Sequence, residues 1–133
     1  MKISKKQKRT KEERPAVPGE WLYLAPEGVT VRQIAGAVLK KDGIELWEEA
    51  GVLEIELGEG SSLDMEHTAI HPKDAFTRSF VEENGCAEVY LVTFAPENYD
   101  GAKEVMRQIL AGCGGLFCGD TEDFTPIIRG AEL

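Results

Sequence analysis

The chain has 133 residues, of which 42% are hydrophobic and 29% charged, the balance of a globular protein about one domain in size. Asp and Glu outnumber Lys and Arg by 24 to 15, and the formal net charge of -9 excludes a generally basic nucleic-acid-binding surface. The apolar stretches are too short to cross a bilayer, and none follows the Lys-rich start, so we expect neither a membrane span nor a secretory signal.

A basic segment precedes an acidic remainder. Residues 1–18 hold seven basic residues and two Glu, a net charge of +5, whereas residues 19–133 hold 8 basic and 22 acidic residues. Because the segment has few apolar residues, we expect residues 1–18 to be a disordered arm and residues 19–133 a single acidic domain. Its basic residues are Lys2, Lys5, Lys6, Lys8, Arg9, Lys11 and Arg14.

Three roles for the arm stay open at this point. The arm is a solvated tail, or it binds nucleic acid or ribosomes through their phosphates, or it binds the acidic domain of the same chain. The second role needs only cationic residues, but the arm lacks the interleaved aromatic residues that stack on bases.

A strand and a helix are predicted at the start of the domain. Residues 20–24 are aromatic and apolar, a pattern typical of a strand. Thr30 and Gln33 match a capping box, and residues 31–39 repeat apolar side chains at helical spacing. A helix is therefore expected directly after Thr30.

A β-hairpin is predicted next. Residues 44–49 fit a short helix about as well as a strand, because their apolar residues suit both periods. Residues 52–57 and 63–68 alternate apolar and polar side chains on either side of the Gly- and Ser-rich residues 58–62. This hairpin is the most clearly patterned segment of the chain.

The second half of the chain alternates helices and strands. Residues 72–84 predict a helix, residues 87–95 a strand that is covered on both faces, and residues 98–112 a third helix. Residues 116–118 predict a short strand, and residues 124–128 suggest another.

The predicted order is therefore β-α-β-β-α-β followed by α-β. It indicates an α+β fold, a split βαβ-like two-layer sandwich with its helices on one face of a mostly antiparallel sheet. That arrangement hosts many unrelated activities, so the function has to be inferred from particular residues.

The predicted hairpin carries four carboxylates on one side. Glu54 and Glu56 alternate with the apolar residues of its first strand, and Asp64 and Glu66 with those of its second. With the turn centred on Gly60, Glu56 lies opposite Asp64 and Glu54 opposite Glu66, and like charges directly opposite destabilise a sheet. Water and salt, a cation or a basic partner would offset this repulsion.

From this face we predict a small non-catalytic, cytoplasmic protein-binding module that docks a basic partner, with Asp120, Glu122 and Asp123 as an extension of the binding surface. An inhibitor or immunity-like protein that blocks a basic nuclease is one form, by analogy of charge and size. Two alternatives stay open. One is a divalent-metal-dependent enzyme of unknown reaction, and the other a nucleic-acid- or ribosome-associated protein that uses the arm.

Sequence motifs point to no catalytic residue, no cofactor and no resident metal. Cys86, Cys113 and Cys118 are an odd number without a CxxC pair, which favours reduced thiols and a cytoplasmic location. His67 and His71 straddle a strand end and a helix start, so they do not share a face for zinc, and we expect His67 to be buried and hydrogen-bonded. The chain has no nucleophile elbow and no phosphate-binding fingerprint.

Overall fold

The computed structural model describes residues 17–40, 42–58 and 60–130. Within these ranges the chain forms seven strands and three α-helices, which confirms the α+β class. The strands are β1 (Glu20–Ala25), β2 (Ile44–Trp47), β3 (Val52–Gly58), β4 (Ser61–Thr68), β5 (Glu88–Thr93), β6 (Leu116–Gly119) and β7 (Ile127–Arg129), and the helices are α1 (Val31–Ala37), α2 (Ala75–Glu83) and α3 (Tyr99–Cys113).

Most of the predicted basic arm lies outside the described residues. Residues 1–16 are not described, so the predicted disorder and the predicted domain boundary stay predictions. Val17 packs against the core, and the carbonyl oxygen of Pro18 accepts a hydrogen bond of 3.0 Å from the Trp21 indole. The described chain is therefore attached to the domain from its first residues.

The seven strands described form one antiparallel sheet in the order β2-β3-β4-β5-β1-β6-β7. Residues 44–47, which fit two structures by sequence, are an edge strand beside β3. This strand is absent from the predicted β-α-β-β-α-β order. Its alternation of half-buried and exposed residues suits a strand that covers the core with one side only.

Helices α1 and α3 pack together on one side of the sheet, which we call the helix side. Trp21, Tyr23 and Phe117 project from the sheet into this layer, where they meet Ile34 of α1 and Met106 of α3. All five side chains are fully buried. The capping box at the start of α1 is present, with Thr30 and Gln33 bonded to each other's backbone N–H, although the helix ends two residues earlier than predicted.

Helix α2 lies on the opposite side of the sheet, against β1, β5 and β6. Phe80 and Val81 of α2 pack there on Leu22, Leu24 and Leu116. The structure therefore differs from the predicted two-layer sandwich with all helices on one face. The physical reason is that β1 is apolar on both sides, so both sides need cover.

On that second side, the apolar cluster under α2 contains no residue of β2, β3 or β4. The side of β2, β3 and β4 that faces away from α1 and α3 is therefore open to solvent, together with Leu91 and Thr93 of β5, and we call this surface the open face. None of the helices within the described ranges is long and apolar enough to cross a membrane.

Candidate functional site

The four carboxylates of the predicted hairpin lie together on the open face. Alternation along β3 and β4 sends every second side chain to the core, so that Glu54, Glu56, Asp64 and Glu66 share the other side. The buried residues between them are Leu53, Ile55, Leu63 and Met65.

The register of the hairpin differs from the predicted one. Glu54 pairs with Asp64, whereas Glu56 and Glu66 pair with uncharged residues. The predicted register, in which Glu56 would face Asp64 and Glu54 would face Glu66, is therefore wrong by two residues. One residue of this difference comes from the turn, which joins Gly58 to Ser61 and is not centred on Gly60, and the other from a register shift between Glu56 and Gly58. A shift of two residues leaves every side chain on its original side of the sheet.

The paired positions extend the acidic surface across five strands. Glu45, Glu54, Asp64, Thr93 and Glu20 occupy consecutive cross-strand positions on β2, β3, β4, β5 and β1. We call the four acids of this line the acidic row, with Thr93 between its third and fourth members. Neighbouring positions of the line are held at a strand spacing of about 4.8 Å, so that Asp64 and Glu20 lie two spacings apart and the whole row is about 19 Å long.

No Lys, Arg or His of the described residues forms an ion pair with the acidic row. Within the described ranges, no Lys, Arg or His nitrogen lies within 4.0 Å of its carboxylates, since the ion pairs found there join other residues. Asp64 accepts a hydrogen bond of 2.9 Å from the Ser62 hydroxyl, and Glu45, Asp64 and Glu20 are exposed to solvent. The ion pairs are Arg32–Glu48, His67–Glu88 and Arg107–Glu104.

A second line of side chains runs beside the acidic row. Trp47, Val52, Glu66 and Leu91 pair consecutively on β2, β3, β4 and β5, two residues along each strand from the acids. Trp47 is 46% exposed and Leu91 38% exposed, which is unusual for large apolar side chains. We call Trp47, Val52 and Leu91 the apolar row. With Glu54, Asp64 and Glu66 they line a shallow groove of about 300 Å³.

The acidic turn after β6 is not part of the hairpin surface. Asp120, Glu122 and Asp123 follow β6, and three strand spacings, about 14 Å, separate β6 from β4. The backbone N–H of Asp120 bonds the Glu20 carbonyl, so Asp120 adjoins the far end of the acidic row. The hydroxyls of Thr125 and Thr121 bond the Asp123 carboxylate at 2.7 and 3.1 Å and lower its pKa. This carboxylate is therefore satisfied within its own turn.

His67 is hydrogen-bonded as expected, but its side chain is 45% exposed, so the predicted burial is wrong. Its ring contacts that of Tyr90 in a tilted arrangement, with 4.8 Å between the ring centroids, and Nε2 lies 2.8 Å from Glu88 Oε1. Burial fails because a pocket of about 210 Å³ opens beside the ring, between the loop before α1 and the start of β3. Glu88 also accepts a hydrogen bond of 2.9 Å from the Gly28 N–H, and the Tyr90 hydroxyl donates one of 2.8 Å to the Val29 carbonyl. Each polar group here thus has a structural partner.

The cysteines and acids do not form a reactive centre in the described part of the chain. Cys86 and Cys118 are buried, Cys113 is partly buried, and all three are free thiols. Burial raises the pKa of each thiol, that of Cys118 to about 12, so the nucleophilic thiolate is disfavoured. Within the described ranges, no group of three or more His, Cys, Asp or Glu side chains is placed to hold a metal ion.

Sequence reasoning missed Glu20, Glu45 and the apolar row. Trp47 and Glu45 lie in the segment that fit two secondary structures, and Leu91 lies in a strand that was expected to be covered on both faces. The signal available in the sequence was the alternation of Glu45 and Trp47 with Ile44 and Leu46. In the structure Glu45 and Trp47 are exposed, whereas Ile44 and Leu46 are half-buried.

Neither protein-family models, nor curated proteins, nor solved structures give a match to this chain. The interpretation of the open face therefore depends on its own residues.

Proposed function

We propose that this protein is a small, acidic, non-catalytic binding module that docks a basic surface of another protein through its open face. The observation that carries the proposal is the acidic row, in which the half-buried Glu54 lies between the exposed Glu45 and Asp64 with no described cation of the domain to neutralise them. Lys and Arg side chains of a partner would supply that charge.

The position of the acids on the sheet supports docking. Carboxylates held on adjacent strands repel one another, so the arrangement lowers the stability of the free protein. A basic partner relieves the repulsion when it binds. Before contact, the same field speeds association and selects positively charged partners.

An inhibitor or immunity-like protein that covers a basic enzyme is the form of this function that we favour. The support is the combination of small size, net charge of -9 and a flat acidic face on a sheet. This form rests on analogy of charge and size, whereas docking itself rests on the geometry of the face.

The metal-dependent enzyme is the weaker alternative. Mg²⁺ and Ca²⁺ need several oxygen ligands converging at about 2.0 to 2.6 Å, whereas the acidic row spreads its carboxylates along a line. The other alternative, nucleic-acid or ribosome binding through the basic arm, concerns residues 1–16, which lie outside the described ranges.

A capture experiment with matched charge variants tests the proposal. The baits are the wild-type chain, the face variant Glu54→Gln/Glu66→Gln, and the control Glu27→Gln/Glu104→Gln, which removes the same charge from the turn before α1 and from α3. We expect a basic protein from the native cell extract to be retained by wild type and control at about 50 mM salt and released at about 500 mM. The face variant should retain much less of it.

Binding kinetics with the identified partner then measure the electrostatic contribution. Removal of two charges from the face should slow association by about threefold to tenfold and flatten its dependence on salt, with a smaller effect on dissociation. If the face variant and the control bind the partner with equal affinity, the open face is not the docking site.

A further inference from the structure

We infer that the open face takes a cationic amphipathic α-helix of the partner protein, laid across strands β2 to β5. Lys or Arg side chains of this helix lie over the acidic row, and its apolar side chains lie over the apolar row. The inference rests on the proposed function and adds the shape and patterning of the partner to it.

The two kinds of side chain on the open face are segregated in one direction only. Across the strands, acids follow acids from Glu45 to Asp64, and apolar residues lie in the neighbouring line from Trp47 to Leu91. Along a strand the two kinds mix, since Val52 is followed on the same side by Glu54 and then Glu56. A ligand with one basic and one apolar stripe therefore fits across the strands.

The spacing of the rows matches a helix better than an extended segment. Residues three and four apart in a helix advance about 4.5 and 6.0 Å along its axis, close to the strand spacing of about 4.8 Å. Side chains on one side of an extended segment recur only every 6.6 Å or so, and these positions fall out of step with the strands. The two rows lie about 7 Å apart, within the width of one helix of about 10 Å.

The apolar row supplies an anchor for such a helix. Trp47 and Leu91 are the exposed large apolar side chains of the open face, and they stand at opposite ends of the groove. Burial of an exposed aromatic residue beside charged pairs is the usual source of affinity at protein interfaces. Past Leu91 the row meets Leu22, which is 5% exposed in the cluster under α2, so the groove ends there.

Glu66 adds a specific requirement to the partner. It lies in the line of apolar residues, between Val52 and Leu91. The apolar stripe of the bound helix therefore has to carry one Lys or Arg in its middle, because an apolar side chain there would bury an unpaired charge. A helix of about 10 residues spans the three strand spacings from β2 to β5, and one of about 13 residues also reaches Glu20 on β1.

Two synthetic peptides test the inference with the full-length protein. Both have about 14 residues and the same number of Leu, Lys and Ala. One segregates Leu and Lys on two sides of a helix, with a single Lys in the middle of the Leu stripe to meet Glu66, and the other scrambles them. At about 150 mM salt we expect the segregated peptide to bind about tenfold more tightly than the scrambled one. Fluorescence anisotropy of a dye-labelled peptide reports the binding, so that the readout does not depend on Trp47 of the protein.

Matched variants locate the contact. Trp47→Thr and Leu91→Thr, made singly and together, should remove the preference for the segregated peptide. Leu39→Thr is the control, because Leu39 is 75% exposed next to α1 and away from the open face. Circular dichroism establishes that each variant is folded. Trp47 is more exposed than Leu91, so Trp47→Thr should disturb the folded structure less than Leu91→Thr.

The remaining outcomes overturn the inference in distinguishable ways. If both peptides bind equally and only Glu54→Gln/Glu66→Gln weakens them, the basic docking function stands and the helix is wrong. The helix is also wrong if the segregated peptide does not bind, whatever the capture experiment shows. Binding that appears only after Lys5, Lys6, Lys8 and Arg9 are changed to Gln identifies residues 1–16 as the occupant. A dimer in light scattering that Trp47→Thr dissociates identifies a second copy instead.

Discussion

Glu54 lies directly opposite Asp64 on the neighbouring strand, and Glu45 lies opposite Glu54 on its other side. Glu54 is thus the middle one of three carboxylates at strand spacing, and like charges placed this way destabilise a sheet. An uncharged residue at position 54 would suit the free protein better. A charge that lowers stability is understandable where a basic partner covers it, because function often uses positions that are not optimal for folding.

The first prediction concerns the stability of the free protein. Glu54→Gln should raise the free energy of unfolding by about 0.5 kcal/mol at low salt, since it removes two cross-strand repulsions. Salt at about 0.5 M should shrink this gain, because exposed charges are then screened within a few ångströms. Urea denaturation at the two salt concentrations measures the difference.

Glu104→Gln is the matched control for that measurement. Glu104 lies on α3 with Arg107 3.9 Å away, so removal of its charge should bring no gain in stability. If Glu54→Gln lowers the stability, or raises it by the same amount at both salt concentrations, the repulsion is not significant in the folded protein.

The side of the sheet on which the acids lie follows from the sequence, and their pairing does not. Alternation along residues 52–57 and 63–68 fixes which side chains reach the core, and a shift of two residues does not change it. The pairing depends on the geometry of the turn, since the position of the turn between Gly58 and Ser61 and the register shift after Glu56 together place Asp64 opposite Glu54. The alternation of apolar and polar residues does not predict such a local irregularity.

The open face itself depends on where α2 packs. The period of a helix shows which of its sides is buried, but not which side of a sheet it covers. Helix α2 covers β1 and β6 and stops short of β4, and this leaves Leu91 exposed in a strand that is apolar throughout. The order of the strands decides this, and it arises from contacts distant in sequence.

A second prediction tests the alternative that the basic arm binds nucleic acid. Deletion of residues 1–14 removes all seven basic residues of the arm and leaves a strongly acidic chain. Any affinity for a single-stranded RNA probe at low salt should then disappear, because phosphate contacts need cations. Gel-shift titrations of the full and shortened chains measure the change, and undiminished binding by the shortened chain removes the arm from consideration.

A third prediction follows from the contacts of Glu88. The Gly28 N–H, and then His67, bond its carboxylate and hold its pKa below the usual value, which is about 4.3 in an unfolded chain. A carboxylate with a lowered pKa in the folded state contributes stability above its unfolded pKa, and loses it as the pH falls through the folded value. Glu88→Gln should therefore lower the free energy of unfolding by about 1 kcal/mol near neutral pH.

The pH dependence separates this electrostatic contribution from simple packing. The difference between wild type and Glu88→Gln should shrink as the pH falls below about 4, and Glu27→Gln in the adjacent turn is the matched control variant. Urea denaturation at several pH values measures both variants. A difference that stays constant at the lowest pH would show that the carboxylate charge of Glu88 does not contribute.

The last prediction separates a docking face from a metal site. Mg²⁺ or Ca²⁺ at about 5 mM should change the melting temperature no more than NaCl of equal ionic strength, because carboxylates in a line screen like any surface charge. A specific site would instead give a saturable rise, since a ligand that binds only the folded state stabilises it by mass action. The variants Glu54→Gln and Asp64→Asn, with Glu104→Gln as the control, locate such a site. If the rise occurs and is lost in the first two variants but not in the control, the paired carboxylates bind a cation. The metal-dependent alternative then replaces docking as the better account of the open face.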